Sequence, residues 1–585
     1  MFETEQKQIE EHIHQLFLRK NIPVHPLAWG WIPFNGQWGI STSFFQTAAQ
    51  EARQGAKLDV KKRAAEIACL VADELGVPAG FSQVEAVQGY LNLYFSSAEY
   101  MHRLVDQVLS EGPAYGNGAI KNEKVMVEFS QPNTHKAFHV GHLRNMILGD
   151  AICRILQAAG SSVVRANYIG DIGLHVMKWL WCYQKYHAGE LPKGDKAAWA
   201  GDLYVEADRR FDSEPGAEAE VRALFARWDR RDPEVVALWE KTRKWSLEGL
   251  DVIYQKLDIR FDRVYFESEV EDPGKEIVKE LIARGIARDE RPDGAVIVPL
   301  DEILGLKEKY RVLVVLRSDG TSLYATKDLY LAIQKFQEYP LDKSIYVIDV
   351  RQSLYLQQIY KTLELMGYEA AKKCYHLAYE IVNLPGNVTM SSREGTIVLL
   401  EDLMREATQR ALEIVKTKNP ELSEEKQNSI AQSVAFGAIR YSMLSRDNIK
   451  IVTFDWEAAL DFNGQAAPYI QYAAVRANSI LRKAGGKIPP SVAPHYEISA
   501  AEIALADKIS RLPREVQRAA AEYRPLYLAN LIYEIARAFS DFYNECPVLQ
   551  AEESVRNHRL RLVAATRQAL TNGLNLLGIQ APDIM

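Results

Sequence analysis

The feature that most constrains this chain is a strand–helix–strand grammar beginning at residue 124. The apolar runs 124–129 (KVMVEF) and 162–169 (SVVRANYI) read as buried strands. Between them, residues 139–160 carry a long helical pattern that Gly160 closes. Two such strands joined through a helix require a right-handed parallel crossover. Further apolar runs at 310–316, 344–350 and 374–382 extend the pattern. The expected fold is therefore α/β, a Rossmann-like doubly wound parallel sheet at residues 113–400, interrupted by a charged helical insertion at about 190–270.

On either side the grammar differs. Residues 1–112 combine a helical segment at 58–75 with an alternating strand at 89–96, as expected of a small α+β domain ahead of the Gly-rich stretch 111–120. Residues 401–585 carry almost no strand pattern and read as an all-helical bundle. The 585 residues exceed what a single core supports, and 47% hydrophobic with 25% charged residues excludes a disordered or fibrous chain. Mean hydropathy is -0.21, and no apolar run is long enough to span a membrane. Residues 1–17 lack the apolar centre of a secretory signal, and five scattered cysteines without CxxC argue for a reducing cytoplasm and against a cysteine-built zinc site. No metal site is expected.

The net charge of -7 argues against a nucleic-acid partner, yet residues 451–585 are neutral, with 14 basic and 14 acidic side chains, and 11 of the basic ones are arginine. That tail permits an RNA partner without establishing one, and a solvated helical surface is the first reading of it.

The sharpest chemical signal is His139-Val140-Gly141-His142, at the carboxyl end of one strand and the start of a helix, where nucleotide phosphates bind in α/β sheets. Imidazoles at i and i+3 share a helical face and can both donate to phosphate oxygens, and the glycine leaves room for a flat adenine. The bland alternative is a pair of helix-capping histidines. A second segment, Met390-Ser391-Ser392-Arg393-Glu394-Gly395, offers hydroxyls, a guanidinium and a glycine suited to an anion clamp, but alone it also reads as an ordinary Ser/Gly loop.

Together these segments resemble the two signature motifs of class I aminoacyl-tRNA synthetases, and the surrounding blocks resemble the arginyl-tRNA synthetase family. The likeness runs through residues 127–133 (VEFSQPN), Lys136 and the 139–156 helix. It continues at Ser318-Asp319-Gly320-Thr321, 324–328 (YATKD), 346–349 (YVID) with Gln352, 464–472 (GQAAPYIQY) and the ending LLGIQAPDIM. The resemblance implies activation of arginine by ATP, with Mg2+ accompanying the nucleotide, and transfer to the 3′-terminal adenosine of arginine tRNA. It places Glu128, Ser130, Asn133, His139, Tyr324, Asp328 and Gln352 in the arginine pocket. Lys136, His139, His142, Ser391, Ser392 and Arg393 would be catalytic, and His139, Gly141, His142, Met390, Ser391 and Ser392 would hold ATP. Asn92 and Phe95 in an elbow-binding domain, and Tyr469, Tyr543 and Met585 at the anticodon, would meet the tRNA. A guanidinium needs carboxylate and neutral acceptors in a planar arrangement. On the residues alone, Glu128 reads first as a strand-end surface charge and Asp328 as a first-turn helix acid, while the two tyrosines and Met585 read equally as core packing.

Departures from the family pattern are Thr389 where a lysine usually begins the second motif, 170–175 (GDIGLH), Tyr355 where a histidine is common, and Gln465-Ala466. The rivals are another class I synthetase, a small nucleotidyltransferase sharing the histidine motif, and a paralogue that binds tRNA or arginine without charging. A short interval between the motifs leaves no room for an editing insertion, and the helical tail separates the chain from the small enzymes. The implied protein is a cytoplasmic monomer that engages neither DNA nor membrane.

Overall fold

The computed structural model describes residues 2–54, 58–136, 138–384, 388–389 and 399–585. Its centre is a five-stranded parallel sheet of β1 (Lys124–Glu128), β2 (Ser162–Ile169), β3 (Arg263–Phe266), β4 (Lys343–Asp349) and β5 (Cys374–Tyr379), in the order β5-β4-β1-β2-β3. This is the 3-2-1-4-5 arrangement of a doubly wound fold, whose switch point lies between β1 and β4. Residues 125–128 are all buried, because helices cover both faces of the sheet.

Two expectations need correction here. The apolar run at 310–316 does not join the parallel sheet. Its strand Val312–Leu316 pairs antiparallel with Val296–Pro299 in a separate three-stranded sheet. Val312 and Val314 remain exposed on its outer face, as an antiparallel strand tolerates and a doubly covered parallel strand does not. The helical insertion also begins earlier and ends sooner than 190–270. Its helices are Leu174–Tyr186, Lys196–Ser213, Ala217–Asp229 and Pro233–Lys256, after which Arg263–Phe266 returns to the main sheet. The insertion holds its own aromatic core, including Trp179, Trp181, Trp228 and Trp239.

Helix Val140–Ala158 crosses from β1 to β2, and 15 of its 19 residues are buried. A helix enclosed that far must satisfy its polar side chains internally. Asp150 accepts from Arg154 (2.9 Å), Arg165 (2.8 Å) and Arg440 (2.9 Å), the last reaching in from the C-terminal helices. Gly149 is required by close approach, because a Cβ there would lie 2.2 Å from the Phe129 ring.

In the N-terminal region, strands Gly30–Trp31, Gly39–Ser43, Tyr90–Phe95 and Phe81–Val87 form an antiparallel sheet in that spatial order, and helix Val60–Leu75 starts at an Asp59 cap. From Leu400 onward the described chain is a bundle of helices with one short strand, Val452–Thr453, which lies alongside Val382–Leu384.

Candidate active site

The chain leaves β1 through a strained turn. Ser130 (φ 79°) and Gln131 (φ 47°) both adopt left-handed conformations, which non-glycine residues hold only when their surroundings over-determine them. Here the Asn145 side chain accepts the Ser130 N–H at 2.6 Å, and Asn167 accepts that of Gln131 at 3.1 Å. The Ser130 hydroxyl lies 2.7 Å from Tyr254 Oη. The turn opens into a cavity of about 430 Å3 at the switch point, lined among others by Ser130, His139, Gly141, His142, Asp349 and Gln352.

The two signature histidines cap the helix reciprocally. Gly141 N–H donates to His139 Nδ1 (3.1 Å), His139 N–H donates to His142 Nδ1 (3.2 Å), and the ring centroids are 3.8 Å apart. Capping and function are thus compatible: each Nδ1 acts as acceptor, so each ring proton sits on Nε2 as a donor. The space above Gly141 is filled by the His139 ring, 2.8 Å from where a Cβ would stand, so the glycine serves that ring before any adenine. Burial, with the nearby Lys136 ammonium, pushes His139 down to about 4; burial, His139 and Lys136 push His142 well below the usual imidazole range. Both rings are neutral donors at physiological pH. Lys136 itself is half-buried, its ammonium 5.1 Å from the Tyr204 ring centroid.

Met390, Ser391, Ser392 and Arg393 lie outside the described residues. The chain on their far side is tied to the first motif: Leu399 pairs with His139, and Leu400 N–H donates to the Phe138 carbonyl at 3.1 Å. Thr389 pairs with Asn383 through the backbone.

The seven expected arginine contacts fall into separate groups. Ser130, His139 and Gln352 line the cavity just described. Tyr324 is 60% exposed and lines a neighbouring cleft of about 800 Å3 with His175, Glu267 and Lys327. Asn133 pairs with Gly170 beside that cleft. Glu128 and Asp328 belong to a charged cluster in which Glu128 is buried and Asp328 half-buried. Glu128 is 2% exposed, which removes the surface-charge reading. One of its oxygens accepts from Gln131 Nε2 (2.9 Å) and the other from Lys335, a lysine with no exposed surface. Glu128 is therefore already engaged. Asp328 accepts from the Tyr355 hydroxyl at 2.6 Å, which gives the unusual tyrosine a function. Burial, and the repulsion of Glu128, raise Asp328 to about 6 against the pull of that hydrogen bond. Tyr168 Oη, which feels both carboxylates, is buried with no hydrogen-bond partner among the described residues. Lys327 pairs with Glu267 at 2.6 Å, and burial raises Glu267 to about 7 against the pull of that lysine.

Lys335 and Arg144 escaped sequence reading. Lys335 stands 207 positions from its partner, so no local pattern joins them. Among the described residues Arg144, 1% exposed, donates only to backbone carbonyls, those of Glu380 and Ile381 on one side and Asp447, Asn448 and Lys450 on the other. It clamps the signature helix to the chain that leads into the second motif.

A second cavity, of about 680 Å3, lies among the C-terminal helices. Tyr543 (44% exposed), Met585, Tyr472 and Arg476 line it, with the Arg476 guanidinium 4.9 Å from the Tyr543 ring centroid. Tyr469 is outside that lining, half-buried, its hydroxyl donating to Ser540 Oγ at 3.1 Å. Asn92 accepts from Ser41 Oγ at 2.6 Å. Phe95 does not fit the expected tRNA contact: it is 1% exposed and stacked on Phe2 at 4.0 Å, so its ring serves the domain core.

A 3-2-1-4-5 parallel sheet with paired histidines capping the helix at its switch point, followed by a helical bundle, defines a class I aminoacyl-tRNA synthetase. Residues 104–456 match the family described as tRNA synthetases class I (R), catalytic domain, and residues 470–585 match the DALR anticodon binding domain. The arginine–tRNA ligase of Bdellovibrio bacteriovorus is 37% identical over 513 residues, covering 85% of this chain and 86% of that one. The Treponema denticola arginine–tRNA ligase is 34% identical over 522 residues, covering 86% and 87%. The Thermus thermophilus arginyl-tRNA synthetase structure superposes with a TM-score of 0.74 at 30% identity, covering 99% of this chain and 100% of that one. The chain belongs to the arginyl-tRNA synthetase family.

Proposed function

We infer that this chain is an arginine–tRNA ligase that forms arginyl-adenylate at the β1/β4 switch point and transfers arginine to the terminal ribose of its tRNA. The carrying observation is the reciprocal histidine cap, which presents two neutral Nε2–H donors beside the one cation of the first motif. In activation the arginine carboxylate attacks the α-phosphate of ATP and pyrophosphate leaves. Charge builds on the oxygens between them, and stabilising it needs fixed donors and a cation without a covalent nucleophile. His139 and His142 supply the donors and Lys136 the charge. A ribose hydroxyl of the tRNA's terminal adenosine then attacks the adenylate carbonyl and AMP departs.

Asp328, held by Tyr355, is the free carboxylate we assign to the guanidinium, with Tyr324 at the mouth and Ser130, Asn133 and Gln352 around the backbone of the amino acid. Glu128 acts behind them, its charge balanced by Lys335. Mg2+ fits as a companion of the ATP phosphates: Asp349, the only carboxylate among the described lining of the cavity, is held by Arg351 at 2.9 and 2.7 Å. The cleft of Tyr543, Met585 and Arg476 suits an unstacked base, whereas Tyr469 would act by supporting it. We also take the chain to work as a monomer in the cytoplasm; among the described residues no helix is long and apolar enough to cross a membrane.

The test is pyrophosphate exchange with each of the twenty amino acids, with and without tRNA, followed by charging. Arginine alone should support exchange, and arginine tRNA should be aminoacylated. Binding of arginine and tRNA without charging would show instead a paralogue that has lost the reaction.

A further inference from the structure

The helical insertion carries a cluster that plays no part in the chemistry above. Cys182, on helix Leu174–Tyr186, is fully buried; His187 follows that helix directly, and Glu206 rises from helix Lys196–Ser213. One ligand atom from each, a thiol sulfur, an imidazole nitrogen and a carboxylate oxygen, lie within 4.8 Å of one another. Each of the two polar ligands is oriented from behind. His187 Nδ1 faces Glu190 Oε1 at 3.3 Å, which leaves Nε2 turned to Glu206 Oε2 at 3.1 Å. Glu206 Oε1 is held by Arg210 Nε at 2.7 Å, which reserves Oε2 for the cluster. A carboxylate behind a ligating imidazole, and a hydrogen bond behind a ligating carboxylate, are the outer-shell arrangement of built metal sites.

We propose that Cys182, His187 and Glu206 form a binding site for a borderline divalent cation of the zinc class, stapling the first two helices of the insertion. Sulfur, imidazole and carboxylate together select such an ion over Mg2+ or Ca2+, which take oxygen ligands. Bonds of about 2.0–2.3 Å in tetrahedral geometry space ligand atoms by about 3.3–3.8 Å, so the three groups need draw in by only about 1 Å. Solvent completes the fourth position. Binding converts the thiol to a thiolate and releases its proton. The cysteine spacing gave no hint of this site, because only one ligand is a cysteine and the third comes from the next helix.

The staple has a position as well as a chemistry. Helix Leu174–Tyr186 begins beside Gly173 and His175, which line the same cleft as Tyr324, and Phe211 of the second helix lines it too. A cation joining the two helices would stiffen one wall of that cleft.

The experiment uses the full chain, stripped with chelator and titrated with Co2+. A thiolate-to-cobalt charge-transfer band should saturate at one equivalent, and Zn2+ should abolish it by displacement. Cys182→Ser should remove the band, while Cys69→Ser, which changes the one exposed cysteine, should leave it. Glu190→Gln, a surface change that spares the core, should weaken Co2+ binding by about ten- to a hundredfold. Zn2+ should raise the melting temperature of the native chain and leave that of Cys182→Ser unchanged. No band at one equivalent, or a band that survives Cys182→Ser, would overturn the proposal. So would Zn2+ stabilising both proteins equally, since His187 would then simply bridge two carboxylates.

Discussion

The adenylation centre and the C-terminal cleft solve recognition in opposite ways. Around β1 the working groups are buried, coupled and fixed by backbone: two histidines that cap one helix, a strained Ser130–Gln131 turn pinned by Asn145 and Asn167, and Glu128 sealed against Lys335. In the bundle, Tyr543 and Arg476 stand on helix surfaces, and Met585 comes from the end of the chain. Buried charges are costly to orphan, so the first region should fail sharply when one partner is removed. Exposed aromatics contribute in increments, so the second should lose affinity gradually.

The sharpest break is expected at Lys335. Lys335→Met orphans Glu128 in the core and should cost about 3–5 kcal/mol of stability. Adding Glu128→Gln should return most of the melting temperature without restoring arginine activation. A single variant as stable as the native chain would mean that the pair is not a unit. Next comes Lys136→Ala, which should slow activation by about a hundred- to a thousandfold, or about 3–4 kcal/mol. The family pattern has a lysine at the position of Thr389, so Thr389→Lys in that background should recover part of the rate. Near-normal exchange by Lys136→Ala would place the essential cation elsewhere.

Asp328→Asn should be milder, raising the KM for arginine about ten- to a hundredfold while the KM for ATP stays put, because one charge-assisted contact is lost. Equal movement of both constants would detach Asp328 from the amino-acid pocket. Smallest of all, Tyr543→Ala should weaken tRNA binding by about 1 kcal/mol with exchange and melting unchanged. A variant that unfolds instead would make this tyrosine part of the bundle's core.

How much of this was legible in the sequence follows the same division. The strands at 124–128 and 162–169 and the histidine motif at a strand–helix junction are local patterns, so they could be read directly. The run at 310–316 could not, because apolar composition does not say whether a strand is covered on one face or two. Glu128 looked like a surface acid because its partner, Lys335, is distant in sequence and only the fold brings them together. Phe95 differs: period-2 alternation puts it on the face of Leu91 and Leu93, the buried one, against Phe2 and Phe81, so the strand pattern already spoke against an exposed ring. Arg144 was invisible as a clamp, since backbone carbonyls leave no signature in composition.

We assign the guanidinium to a single half-buried carboxylate, Asp328. Burial and the neighbouring Glu128 raise it to about 6, so it is ionised above that pH and neutral below, and pairing with the arginine cation is lost as pH falls. Because kcat/KM reports groups of the free enzyme, the direct measurement is kcat/KM for arginine-dependent pyrophosphate exchange across pH 5–8. The native chain should lose about tenfold per pH unit below about 6, and Asp328→Asn should be lower throughout and flat. An acidic limb that persists unchanged in Asp328→Asn would contradict the assignment.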